Sequence, residues 1–138
     1  MASIESIQEE CGKAKRSFVV QFINDATSNL VVQSKHSTQG RWYEEPTNIE
    51  PGKQIIVSMK SVGFKSGCQA DIAFRSASDR NRVFRVRIDN AWSTKEPKVN
   101  VQMATSLTQK TSKLIHFDII SQENVSGQLR AVVKCSDH

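Results

Sequence analysis

The feature that most limits the fold of this chain is an alternation of apolar residues with period two, starting at Phe18 and recurring almost to the C-terminus. Successive strand side chains point to opposite faces, so such a segment buries one face and wets the other. Phe18, Val20 and Phe22 share a face. Cys68, Ala70, Ile72 and Phe74 share another, with Gln69, Asp71, Ala73 and Arg75 opposite. Phe84, Val86 and Ile88 alternate with Arg85 and Arg87, and Val99, Val101 and Met103 repeat the pattern. Clusters of turn-forming residues separate the runs at 25–29, 38–40, 78–81 and 123–127. The spacing predicts strands over Ser17–Asn24, Leu30–Ser37, Gln54–Lys60, Gly67–Ser76, Val83–Asp89, Lys98–Ala104, Lys113–Ser121 and Gln128–Lys134. Strands of this length and spacing make an all-β fold, an antiparallel β-sandwich.

Only Ser3–Cys11 has a helical pattern, with Ile4, Ile7 and Cys11 on one face, Ser6 and Glu9 spaced as a capping box, and Gly12 as the stop. A helix this short is marginal alone in water. Residues 1–14 therefore form an N-terminal arm, either docked as a cap or frayed, ahead of one domain spanning 15–138. Because the core begins at Phe18, the arm is expected to be dispensable for folding.

At 138 residues the chain buries enough surface to fold without a staple. Cys11, Cys68 and Cys135 are odd in number and widely spaced, which argues against a disulfide framework or a zinc site. No apolar run reaches the ~20 residues of a spanning helix. The N-terminal residues are acidic where a signal peptide is basic and then apolar. The expectation is a soluble chain made in the cytoplasm without a signal peptide. No phosphate loop, nucleophile elbow or carboxylate cluster is present, so neither cofactor nor metal is expected. His116 and Asp118 share a strand face, but no motif sets a nucleophile beside them.

The candidate site lies on the loops. Gly40 to Gly67 holds Trp42, the only tyrosine, Tyr43, two of the three prolines and four of the six glycines. Pro46 and Pro51 cannot donate to a ladder, so the chain between them is a loop or an edge. Pro51-Gly52 is a turn, and Gly63 and Gly67 bracket Phe64. A later loop carries Trp92. Trp42, Tyr43, Phe64 and Trp92 are the candidate ligand-binding residues, the plainer alternative being that Trp42 fills the core. The net charge of +5 permits attraction to anionic surfaces, and its densest patch is Arg80, Arg82, Arg85 and Arg87, with Arg75 beside them. A solvated face or a site for lipid headgroups fits this patch better than nucleic acid, because Phe84 points inward and leaves no base-stacking ring there.

The blocks Gly40-Arg41-Trp42-x-x-x-Pro46-Thr47-Asn48-Ile49, Gly63-Phe64-x-Ser66-Gly67 and Ile88-Asp89-Asn90 resemble the aegerolysin family, most closely the small component of bacterial binary insecticidal crystal toxins. The resemblance covers about Lys15 to Val133. Asp89-Asn90-Ala91-Trp92 stands where fungal members carry an Asp-Cys-Pro-Trp block. The resemblance implies a sandwich of the aegerolysin and actinoporin type that binds membrane lipid or a receptor and acts with a larger pore-forming partner. It also implies that the chain is not an enzyme and acts at target-cell membranes after release; self-association into a homo-oligomer is left open. A carbohydrate-binding module stacking sugars on Trp42, Tyr43 and Trp92 is the alternative from a different class. A hydrolase built on His116 and Asp118 is the third.

Overall fold

Strands that alternate apolar and polar side chains can bury one face only by stacking on a second sheet. The computed structural model describes residues 3–63, 65–93, 95–103 and 115–137. Within them α1 (Ile4–Cys11) precedes nine strands: β1 (Ser17–Asp25), β2 (Leu30–Gln39), β3 (Arg41–Glu44), β4 (Gln54–Lys60), β5 (Cys68–Ser76), β6 (Asp79–Asn90), β7 (Lys98–Met103), β8 (Ile115–Val125) and β9 (Gln128–Asp137). They form a five-stranded sheet in the order β3-β4-β1-β9-β8 and a four-stranded sheet in the order β2-β5-β6-β7. Phe18, Val20, Phe22, Val57, Leu129 and Val133 of the first sheet meet Ile72, Phe74, Phe84, Val86 and Ile88 of the second in one core. Phe22 and Phe74 lie with ring centroids 5.3 Å apart.

One ladder departs from the antiparallel expectation. β1 pairs antiparallel with β4 but parallel with β9, from Ser17 opposite Gln128 to Asp25 opposite Ser136. Alternation fixes which face a side chain takes and says nothing about strand direction. The parallel register sets Phe18, Val20 and Phe22 beside Leu129, Ala131 and Val133, so the same core forms. β3 is a second addition: Arg41 and Trp42 pair with Lys60 and Met59 as a short edge. Pro46 and Pro51 lie outside the ladders, as the missing N–H groups require. Gly52 takes φ +76° in the Pro51-Gly52 turn. The β5–β6 turn is tighter than expected, with Asp79 already in β6, and Lys113 lies outside the described residues. Ser126 (φ 49°) and Gly127 (φ 85°) close the β8–β9 hairpin with the two positive φ values of a two-residue turn.

The arm is a docked cap. Ser3, rather than Ser6, is the N-cap: its side chain accepts from the Ser6 N–H at 3.2 Å, and Ser6 Oγ donates back to the Ser3 carbonyl at 3.0 Å. On β1, Val19 faces away from the sandwich interior, yet it is buried, because Ile7 and Cys11 of α1 cover it. Ile4 and Ile56 pack at the margin of this second cluster. Glu10 bonds Lys60 at 2.9 Å and Lys13 at 2.8 Å, while Gln128 Nε2 donates to the Gln8 carbonyl at 3.0 Å.

Candidate functional site

The site is assembled at the end of the sandwich where β1 begins, β4 ends, β5 begins and β6 ends. Arg16 extends the β1–β4 ladder by one step: the Ser61 N–H donates to its carbonyl at 2.9 Å, and its N–H donates to Ser61 Oγ at 3.1 Å. Asn90 is fully buried at the end of β6 and ties three segments together. Its Nδ2 donates to the carbonyls of Ser17 (2.8 Å) and Gly127 (2.9 Å), and its Oδ1 accepts from the Arg16 guanidinium at 3.4 Å. Gly67 lies directly against the backbone of Ala91 and Trp92; a Cβ there would come within 2.5 Å of the Ala91 carbonyl carbon. Ser66 Oγ donates to the carbonyls of Val62 and Gly63, folding the 61–67 loop back on itself.

These restraints leave Trp92 projecting at 39% exposure, with the Arg16 guanidinium carbon 5.4 Å from its ring centroid. Val62 stands out at 54% exposure on the neighbouring loop, and Lys15, Lys65 and Lys95 are exposed on the segments around it. The end therefore combines an indole, an aliphatic tip and several cations. That combination suits a surface with an apolar interior and anionic groups at its boundary.

The other predicted aromatics are not gathered there. Trp42 sits on β3 facing inward, half-buried, and meets Phe18 edge-on with centroids 6.2 Å apart. It fills the core, as the plainer alternative held, because the edge-strand register pairs it with the buried Met59. Tyr43 takes the opposite face of β3, exposed, with Lys60 Nζ 5.0 Å from its ring centroid. Phe64 lies outside the described residues. Trp42 and Tyr43 therefore face opposite sides of β3, and Trp92 lies on the separate loop after β6.

The basic hairpin is also reduced. Arg82 is 6% exposed and does not belong to a surface patch. Arg85 and Arg87 are exposed on the outer face of the four-stranded sheet, and Arg87 pairs with Asp71 at 3.5 Å. Arg80 lies in β6, and its side chain falls outside the described residues. Arg75 is half-buried. His116 Nε2 lies 3.2 Å from Asp118 and 3.4 Å from Ser136 Oγ. A hydrolytic triad needs the acid on one ring nitrogen and the nucleophile on the other, so this arrangement is not one. Burial pushes the thiols of Cys68 and Cys135 up to about 12 and raises that of Cys11, which keeps all three protonated. Among the described residues no three His, Cys, Asp or Glu side chains could hold a metal ion, and no helix is long and apolar enough to cross a membrane.

Arg16 and Lys60 were not legible as site residues. Each is a cation beside a strand end: the register of β3 on β4 brings Lys60 to Tyr43, and the bond to Asn90 brings Arg16 over Trp92.

No protein-family model and no curated protein matches the sequence. Among solved structures, the chain shares its fold with the lipid binding protein Nakanori (16% identity, TM-score 0.69, 97% of this chain and 78% of that one). It is also similar to RahU protein, solved in complex with a TRIS molecule (9% identity, TM-score 0.63, 89% and 94%). A third likeness is IP-1A from Alcaligenes faecalis (11% identity, TM-score 0.57, 87% and 91%).

Proposed function

We propose that this protein is a non-enzymatic lipid-binding protein that docks on membranes through the end of the sandwich bearing Trp92, as one component of a toxin. The observation that carries the reading is exposed Trp92 under the half-buried Arg16, which buried Asn90 holds, with exposed Val62 on the loop whose Gly67 abuts the Trp92 backbone. An indole prefers the headgroup level of a bilayer, and each nearby Lys or Arg adds about 1 kcal/mol on an anionic surface. The fold shared with a lipid binding protein supports it. Salt screens the charge contribution and leaves the apolar one.

Vesicle co-sedimentation at low and high salt is the test. Trp92→Ala should lose most binding under both conditions, whereas Arg85→Ala/Arg87→Ala should lose at most a small, salt-sensitive part. Abolition by the arginine pair with Trp92→Ala unaffected would refute the reading.

The same reading makes the protein the docking half of a pair. The outer face of β5 and β6 carries Gln69, Asp71, Arg85 and Arg87. Placing an Arg at the bilayer midplane costs about 2–4 kcal/mol, so lysis by these strands unaided is disfavoured. The purified protein should release little dye from target-cell vesicles, with release appearing once a larger partner is added. Efficient release by the protein alone would overturn the paired mechanism while leaving lipid docking intact.

A further inference from the structure

The sandwich has four strand edges, and among the described residues three of them are guarded. β3 is only four residues long, carries Arg41 and Glu44, and runs toward the buried Pro46. β2 is bridged at Leu30 by Ile49 and capped at the Val32 N–H by Asn48 Oδ1 at 2.9 Å. On β7 the Val99 N–H donates to Gln122 Oε1 at 2.7 Å. Such devices prevent a sheet edge from recruiting another chain.

β8 differs. It is an 11-residue edge strand whose backbone pairs, among the described residues, with β9 on one side only, while its Gln122 side chain crosses to the Val99 N–H of β7. A register shift between Ile119 and Ser121 turns Ile119 (42%) and Ile120 (58%) out into solvent, and Val125 is 37% exposed at its end. Every residue from Asp118 to Val125 is exposed. No Lys, Arg or Pro interrupts Ile115–Val125.

We infer that β8 pairs with β8 of a second copy of this chain, joining two five-stranded sheets edge to edge about a twofold axis between Ile119 and Ile120. The charge pattern selects both the partner and the direction. Antiparallel pairing about that axis sets His116 opposite Glu123, Asp118 opposite Ser121, and Ile119 opposite Ile120, with no like charges facing. Parallel pairing in register would set Asp118 against Asp118 and Glu123 against Glu123, which is unfavourable. Self-complementarity of one patch is what a twofold interface requires.

Sedimentation velocity across micromolar to submillimolar protein provides the first test. The wild type should shift from monomer to dimer, and Ile120→Lys should remain monomeric at every concentration with an unchanged melting curve. A His116→Cys/Glu123→Cys variant provides the second. Its two thiols sit about 24 Å apart along one strand, too far to join within a chain, but opposite each other across the axis. Mild oxidation should convert this variant to a covalent dimer and leave His116→Cys alone largely monomeric. Native Cys11, Cys68 and Cys135 do not compete, being buried. A wild type that stays monomeric throughout, an Ile120→Lys that dimerises like the wild type, or a His116→Cys that cross-links as well as the double variant would each overturn the inference. Should Ile120→Lys fail to fold, the cross-linking result decides.

Discussion

Replacing Ile7 by Ala tests whether the N-terminal helix belongs to the folded unit. Eight residues make an unstable helix in water, so α1 persists only through what it covers. Ile7 is 3% exposed and packs with Cys11 and Val19 outside the main core. Truncating a buried Ile to Ala costs about 2–5 kcal/mol, depending on how far the site collapses. This cluster is small and lies under a single helix that can settle inward, so the low end, about 2 kcal/mol, applies. For a chain of this size that lowers the melting temperature by about 8 °C. Deleting residues 1–14 should cost more, because Val19 and Ile56 lose their cover and burying an aliphatic side chain is worth about 1.5–3 kcal/mol. Thermal unfolding followed by circular dichroism, checked by urea titration, measures both variants. Exposed Glu5, changed to Ala, is the control and should leave the curve unmoved. If Ile7→Ala shifts the melt by under about 2 °C and the deletion behaves like the wild type, α1 is an appendage and the packing argument fails.

Glu10→Gln should destabilise the protein at neutral pH and match the wild type in strong acid. Hydrogen bonds from Lys13 and then Lys60 hold the Glu10 carboxyl at about 2, so its contribution is present above the usual carboxylate range and fades as pH falls through about 2. Melting curves of the two proteins across acidic pH show whether the gap closes. Gly67→Ala, which forces a Cβ into the Ala91–Trp92 backbone, should lower stability by about 1–3 kcal/mol and weaken vesicle binding along with it. A variant that binds vesicles like the wild type would separate the 61–67 loop from the placement of Trp92. Thiol labelling of the native protein should stay slow from neutral to mildly alkaline pH and become complete only after denaturation; prompt labelling of the native state would show that the buried thiols open locally.

Alternation made most of the strands legible because one face of each packs against a second sheet. Gln54–Lys60 was located at both ends, since a β-branched run between a proline–glycine turn and a polar loop leaves little choice of boundary. The strand Arg41–Glu44 was hidden because four residues are too few to show a period. The parallel β1–β9 pair was hidden because a period carries no direction. The candidate site was legible in part. Trp92 follows the end of a strand in sequence and stands at the end of the sandwich in space. Trp42 has equally loop-like neighbours, yet its register against Met59 sends it into the core. Arg16 reads as one more cation in a basic run, and only the closure of the chain onto Asn90 sets it over an indole.

That closure bears on how the resembling blocks are read. Pro46 and Ile49 are buried, Asn48 caps the Val32 N–H, and Ile49 bridges Leu30, so the block from Gly40 to Ile49 seals one edge of the sandwich. Asn24 in the opening strand fastens the same block from beneath, donating to the Ile49 and Ser28 carbonyls and accepting from the Ala26 N–H. Asn90 does the equivalent work at the far end, between Ser17 and Gly127. A buried amide that satisfies donor and acceptor groups of two segments at once is costly to replace, because any substitute strands a carbonyl or an N–H away from water. Asn24 and Asn90 are therefore the residues that hold segments together at the two ends of β1. The side chains that meet the outside are set by what those segments hold out, Trp92, Val62 and the surrounding lysines, and nothing in the packing restrains their identity. Replacing Asn24 or Asn90 should therefore cost stability, whereas replacing an exposed tip residue such as Val62 should leave the frame intact.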